Sequence, residues 1–120
     1  MATLTLTKES FADTISGNDF VLIDFWAAWC GPCRAFAPVF EAASDDHADI
    51  VFAKVDTEDQ QELAGMFGIT SIPTLVAFRE KVLVFGEAGA LPATELEKVI
   101  TSVQALDMVE VHAKVAKQKA

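Results

Sequence analysis

The sequence predicts an α/β fold: a three-layer α/β/α sandwich whose central mixed sheet of about five strands is flanked by helices. Three observations carry this. Two almost continuously apolar runs of strand length, FVLIDFW at 20–26 and IVFAKV at 50–55, read as central strands covered on both faces. Each is followed by apolar residues at helical spacing. A third run, TLVAFR at 74–79, is followed so closely by VLVF at 82–85 that the two should pair as an antiparallel hairpin.

Taken in order, TLTL at 3–6 suits a short edge strand, and Thr7 offers an N-cap to a helix carrying Phe11 and Ile15 and closed by Gly17. In the run Phe20 to Trp26 the one polar member is Asp24. Downstream, Phe36, Val39 and Phe40 share a helical face. Pro38 among them removes a hydrogen bond and is expected to kink that helix before its pattern decays in SDDHAD. Thr57 to Gln60 reads as a capping box opening a helix through Leu63 and Phe67, with Gly68 as its stop. The hairpin turn, Arg79-Glu80-Lys81, holds neither Gly nor Asn and is not a favoured one.

From Thr94, the positions Leu96, Val99, Ile100 and Val103 form the buried stripe of a last helix. Beyond Leu106 the phase slips. Met108, Val111 and Val115 lie on a stripe rotated by roughly a quarter turn at about 100° per residue. With Lys114, Lys117 and Lys119 this tail reads either as a helical partner surface or as a frayed terminal helix. No repeat or linker divides the chain, so one domain is expected at 1–106, with 107–120 as a C-terminal extension.

The totals narrow the function. At 120 residues, 52% hydrophobic and with nine Phe, the chain can bury a core without metal or disulfide staples. Its net charge of −9 argues against a nucleic-acid-backbone binder and against a polybasic membrane anchor. The opening TLTLTKESF has no signal-peptide pattern and no apolar run nears membrane-spanning length, so a cytoplasmic location is expected. A structural disulfide is out of place in such a reducing compartment. The only two cysteines, spaced as CGPC, therefore point to redox chemistry or to metal.

Zinc asks for four ligands, and only His47 and His112, far apart in sequence, could join the pair; no metal is expected. Redox chemistry fits the setting better. Cys30 should fall where a buried strand ends and a helix begins, next to unpaired N–H groups and a positive dipole end that favour thiolate over thiol. It is the expected nucleophile. Cys33, one turn further in and within disulfide reach, is the expected resolving thiol. Gly31 permits close approach, and Pro32 sets φ at the helix start.

Several residues together resemble the thioredoxin family: WCGPC after a buried strand, Asp24 six residues before Cys30, Pro38 five after Cys33, IPT at 72–74 and GA at 89–90. The likeness runs from about Thr7 to Ala105. It implies a thioredoxin fold and a protein-disulfide reductase acting by dithiol–disulfide exchange and contributing to redox homeostasis. Such a protein has no bound cofactor of its own. A partner thioredoxin reductase recharges it with electrons from NADPH, disulfide-containing proteins are its substrates, and a monomer is expected.

The resemblance also assigns residues. Asp24 matches a buried acid that exchanges a proton with the resolving thiol, and Lys54 its lysine partner. Pro73 matches a cis-proline facing the disulfide. Trp29, Gly31, Pro32, Ile72, Gly89 and Ala90 match a shallow docking groove for an extended substrate peptide. Pro92, where the family has a capping Ser or Thr, and the Gly-less hairpin depart from the pattern. A binding module with incidental cysteines is the main rival, and an oxidase or isomerase is disfavoured because such relatives usually carry His between the cysteines.

Overall fold

Five strands form the frame on which everything else is hung: β1 (Thr3–Thr5), β2 (Phe20–Trp26), β3 (Val51–Asp56), β4 (Thr74–Arg79) and β5 (Val82–Ala88). They lie in the order β1-β3-β2-β4-β5, with β1, β3 and β2 parallel and β4 and β5 antiparallel to their neighbours. The computed structural model of the chain describes residues 2–119.

Residue alternation along β2 builds two cores at once. Phe20 and Leu22 point to one face, where Phe36 and Phe40 of α2 (Gly31–Asp46) meet Leu96, Ile100 and Val103 of α4 (Ala93–Gln104). Val21, Ile23 and Phe25 point to the other, against Phe11 and Ile15 of α1 (Lys8–Ser16) and Leu63 of α3 (Gln61–Met66). Phe25, Phe36, Phe40 and Phe52 are all fully buried, each contributing roughly 2 kcal/mol by burial. The expected three-layer α/β/α sandwich is the observed one.

Helix boundaries follow local hydrogen bonding. Thr7 caps α1 through a reciprocal pair with Ser10, and Gly17 closes it. The helix α2 runs unbroken through the exposed Pro38, past the point where its pattern fades. The capping box expected at Thr57 does not form. The Thr57 hydroxyl and N–H both donate to the Trp26 carbonyl, while Asp56 Oδ1 accepts from the N–H groups of Glu58 and Asp59. That competing turn delays α3 to Gln61, whose cap residue Gln60 makes no side-chain bond to the helix. Gly68 then takes φ +62°, as a helix stop requires.

The phase slip near Leu106 is a break between two helices. Asp107 accepts from Glu110 and Val111 and starts α5 (Met108–Lys119), which buries Met108 and sets His112 against Glu80 at 2.8 Å. Among the described residues no helix is long and apolar enough to cross a membrane.

The hairpin turn explains its odd sequence by taking strain. Glu80 and Lys81 both adopt positive φ, +49° and +69°, the sign that a two-residue hairpin loop of the favoured twist demands. Anchors outside the turn hold it: Glu80 N–H donates to the Asp19 carbonyl, and the Arg79 guanidinium donates to the Val103 carbonyl at the end of α4. Lys81→Gly should therefore raise stability by about 0.5–1 kcal/mol, since the left-handed penalty exceeds glycine's extra chain entropy. A urea midpoint that stays level or falls refutes the strain.

Candidate active site

The site forms at the carboxyl end of β2, where the chain turns through Ala27 to Trp29 into α2. Two bonds close this turn: Cys30 N–H to the Ala27 carbonyl at 3.2 Å and the Arg34 guanidinium to the Ala28 carbonyl at 2.9 Å. Cys30 is itself the N-cap of α2, and its Sγ accepts the Cys33 N–H at 3.2 Å. A sulfur thus occupies the place where Ser, Asp or Asn oxygen usually stands. Negative charge on that sulfur is favoured by the helix N-terminus and by a hydrogen bond made to the charged form.

Cys33 lies in the first turn of α2, joined to Cys30 by a disulfide with the Cα atoms 5.2 Å apart. Both cysteines are buried among Ala27, Trp26 and Ile72. Pro32 occupies the first turn, where its missing N–H costs nothing. At Gly31 the chain itself leaves room for a side chain: an added Cβ would meet only the Arg34 guanidinium, at 3.9 Å. The close approach expected there involves no part of this chain.

Beneath the pair, Asp24 shares a sheet face with Phe20 and Leu22, the face that α2 covers. It is one step nearer than Leu22 to the strand end from which α2 starts, and so lies under the cysteines. It is completely buried, and neither carboxyl oxygen has a hydrogen-bond partner. Burial pushes its pKa up to about 7, against the opposing pull of the Lys54 ammonium. Desolvation wins because Lys54 makes no hydrogen bond to the carboxylate. Lys54 stands beside Asp24 in the β2–β3 register, with Nζ 5.1 Å from the centre of the Trp26 ring.

On the open side, the Ile72–Pro73 bond is cis, and the Ile72 carbonyl lies 3.7 Å from Cys30 Sγ. Gly89, at φ +116°, donates its N–H to the Pro73 carbonyl at 2.8 Å, which brings Gly89 and the exposed Ala90 to the same rim. Trp29 is 67% exposed beside the disulfide. The structure thus gathers the residues singled out in the sequence at one end of the sheet, with Asp24 and Lys54 beneath the sulfurs and the others around them. It adds a groove of about 340 Å³ between Trp29, Ile72 and α3, walled by Thr57, Glu58 and Gln61. That wall was invisible in the sequence because it arises from the turn that displaced the capping box.

Trp26, at the end of β2, packs beside the cysteines and also carries the Lys54 ammonium over its ring. His47 does not sit loose in solvent: it binds Glu97 at 2.9 Å and stacks on Phe52, far from the cysteines. Among the described residues no cluster of His, Cys, Asp and Glu could hold a metal ion.

Against known proteins, the thioredoxin family model matches residues 2–102. The chain belongs to the thioredoxin family. A putative thioredoxin 2 of Streptomyces coelicolor is 56% identical over 99% of this chain and 89% of its own length. A thioredoxin of Alicyclobacillus acidocaldarius is 45% identical over 85% and 98% respectively. Among solved structures, a mutant thioredoxin of Halobacterium salinarum superposes with a TM-score of 0.79 at 35% identity, covering 87% of this chain and 91% of that one. Like other thioredoxins, the protein is a thiol–disulfide oxidoreductase, with Cys30 and Cys33 as its redox-active pair.

The buried acid makes stability depend on pH. Folded Asp24 keeps its proton to about pH 7, whereas the unfolded chain releases it near pH ~3.9. Between these values the folded state binds more protons. The contribution to stability is thus complete below about pH 4 and is lost as pH rises through 7. Asp24→Asn should be more stable than the wild type at about pH 8, by at most about 4 kcal/mol, with the gap closing towards about pH 4. Urea denaturation of the oxidised proteins at both pH values checks this; a gap independent of pH refutes it.

Proposed function

We propose that the protein is a general protein-disulfide reductase in which Cys30 is the nucleophile, Cys33 the resolving thiol, and Asp24 the group that takes the Cys33 proton. The carrying observation is the Cys33 N–H bond to Cys30 Sγ at the start of α2, because it favours charge on one sulfur of the pair and not the other.

The reaction balances in two steps. The Cys30 thiolate attacks one sulfur of a substrate disulfide, the substrate S–S bond breaks, and the departing thiolate collects a proton from water. Cys33 then passes its proton to the Asp24 carboxylate and attacks Cys30 Sγ. The Cys30–Cys33 bond forms, the mixed disulfide breaks, and the second substrate sulfur leaves as a thiolate. Two electrons have moved from the dithiol to the substrate. A base with a pKa near neutrality suits this exchange, since it can accept and return the proton at working pH.

Substrate docking is assigned to the rim. Trp29, Gly31, Pro32, Ile72, Pro73, Gly89 and Ala90 lie around the sulfurs, and the irregular backbone at the cis Ile72–Pro73 bond suits pairing with an extended peptide. Lys54 adjusts Asp24 by its charge. The dithiol is regenerated by a thioredoxin reductase drawing on NADPH. The protein acts as a cytoplasmic monomer in which residues 1–106 form the working domain and 107–120 an extension.

Cys30→Ser should abolish insulin-disulfide reduction. Cys33→Ser should accumulate a mixed disulfide with substrate, seen as a reducible mass adduct. Turnover surviving in the Cys30 variant, or no trapped adduct in the Cys33 variant, overturns the assignment and favours a binding role.

A further inference from the structure

We infer that Trp26 is a positioning residue of the proton transfer, its indole face holding the Lys54 ammonium beside Asp24 without letting the two form a salt bridge. The inference rests on the proton role of Asp24 proposed above and adds a part to it.

The geometry is set by strand register. Asp24 and Lys54 are partners in the parallel β2–β3 pair, so their side chains leave the sheet on the same side. Trp26, two residues beyond Asp24 on β2, shares that side. Lys54 Nζ stands 5.1 Å from the Trp26 ring centre, within the range of a cation–π attraction. Lys54 enters none of the ion pairs seen among the described residues, and both Asp24 oxygens lack a hydrogen-bond partner. The ring and not a carboxylate is what Lys54 touches.

Either alternative would impair proton transfer. A direct ion pair would hold the carboxylate ionised and weaken it as a base. A lysine free to turn into solvent would withdraw its charge and leave the buried carboxyl protonated, with nothing to accept from Cys33. Trp26 fixes the position between these. Strand register sets what faces Asp24: Lys54 from β3, the uncharged Leu75 from β4, and the uncharged Leu22 and Trp26 from its own strand, with Asp56, opposite Trp26 on β3, the next charge along that face. Lys54 is the charge that acts on Asp24, so its position bears directly on the titration.

The test is a carboxyl-carbon NMR titration of Asp24 in the oxidised protein, where the cysteines do not titrate, with the pH profile of insulin reduction alongside. Trp26→Leu should move the Asp24 midpoint upward by about half a unit or more and shift the activity profile the same way, with Trp26→Phe falling between. In a Lys54→Gln background neither change should move the midpoint further. No shift, or a shift of equal size in that background, overturns the inference, because the ring would then act only by shielding. Should Trp26→Leu fail to fold, the Trp26→Phe and Lys54→Gln cycle reads the same coupling, and zero coupling is the negative result. An Asp24→Asn protein with the wild-type pH profile of reduction overturns the relay itself and the inference with it, whereas zero coupling between Trp26 and Lys54 overturns the inference alone.

Discussion

The hydrogen bond from the Cys33 N–H to Cys30 Sγ ties the chemistry of this protein to the physics of a helix end. Every α-helix begins with N–H groups that no turn of its own can satisfy. Here a sulfur meets one of them, and what is ordinarily a stabilising cap becomes the reactive group. The arrangement works only because β2 delivers the chain to that point in a fixed direction. Five of its seven residues are apolar and buried, and the Trp26 carbonyl at its end is held by both the N–H and the hydroxyl of Thr57.

The same strand carries the cost of the site. A carboxyl placed in the core without a hydrogen-bond partner opposes folding whenever it is charged, and that opposition is what lifts its proton affinity into the neutral range. Apolar burial on both faces of the sheet offsets it many times over. A hydrophobic residue in place of Asp24 would suit the fold better, and the proposed proton exchange would lose its acceptor. The strained Glu80–Lys81 turn lies at the opposite end of β4 from Pro73, the active-site end, and its strain is met by anchors in β2's approach and in α4.

Much of this was legible residue by residue. β2 stood out because a strand covered on both faces leaves a nearly unbroken apolar run, and α4 because Leu96, Ile100 and Val103 recur at helical spacing. Two misreadings come from partners distant in sequence. At Thr57 the spacing of a capping box was present, yet the Trp26 carbonyl, distant in sequence, claimed the hydroxyl first. His47, weighed in the sequence only as a distant metal ligand, is instead bound by Glu97 and stacked on Phe52, partners from elsewhere in the chain. The tail's phase slip is a different case, a helix break whose cause is local: Asp107 caps the new helix through the N–H groups of Glu110 and Val111.

By itself the sequence determined which elements form and that the two sulfurs stand one helical turn apart at a helix start, because periodicity, capping and CGPC spacing act within a few residues. Only the tertiary structure decided what surrounds them. That the Ile72 carbonyl meets Cys30, that Gly89 is tied to Pro73, that Lys54 stands beside Asp24, and that Trp26 holds the lysine are matters of strand register and loop closure. Register depends on side chains packed from both faces of the sheet at once, and no local stretch of the chain contains that information.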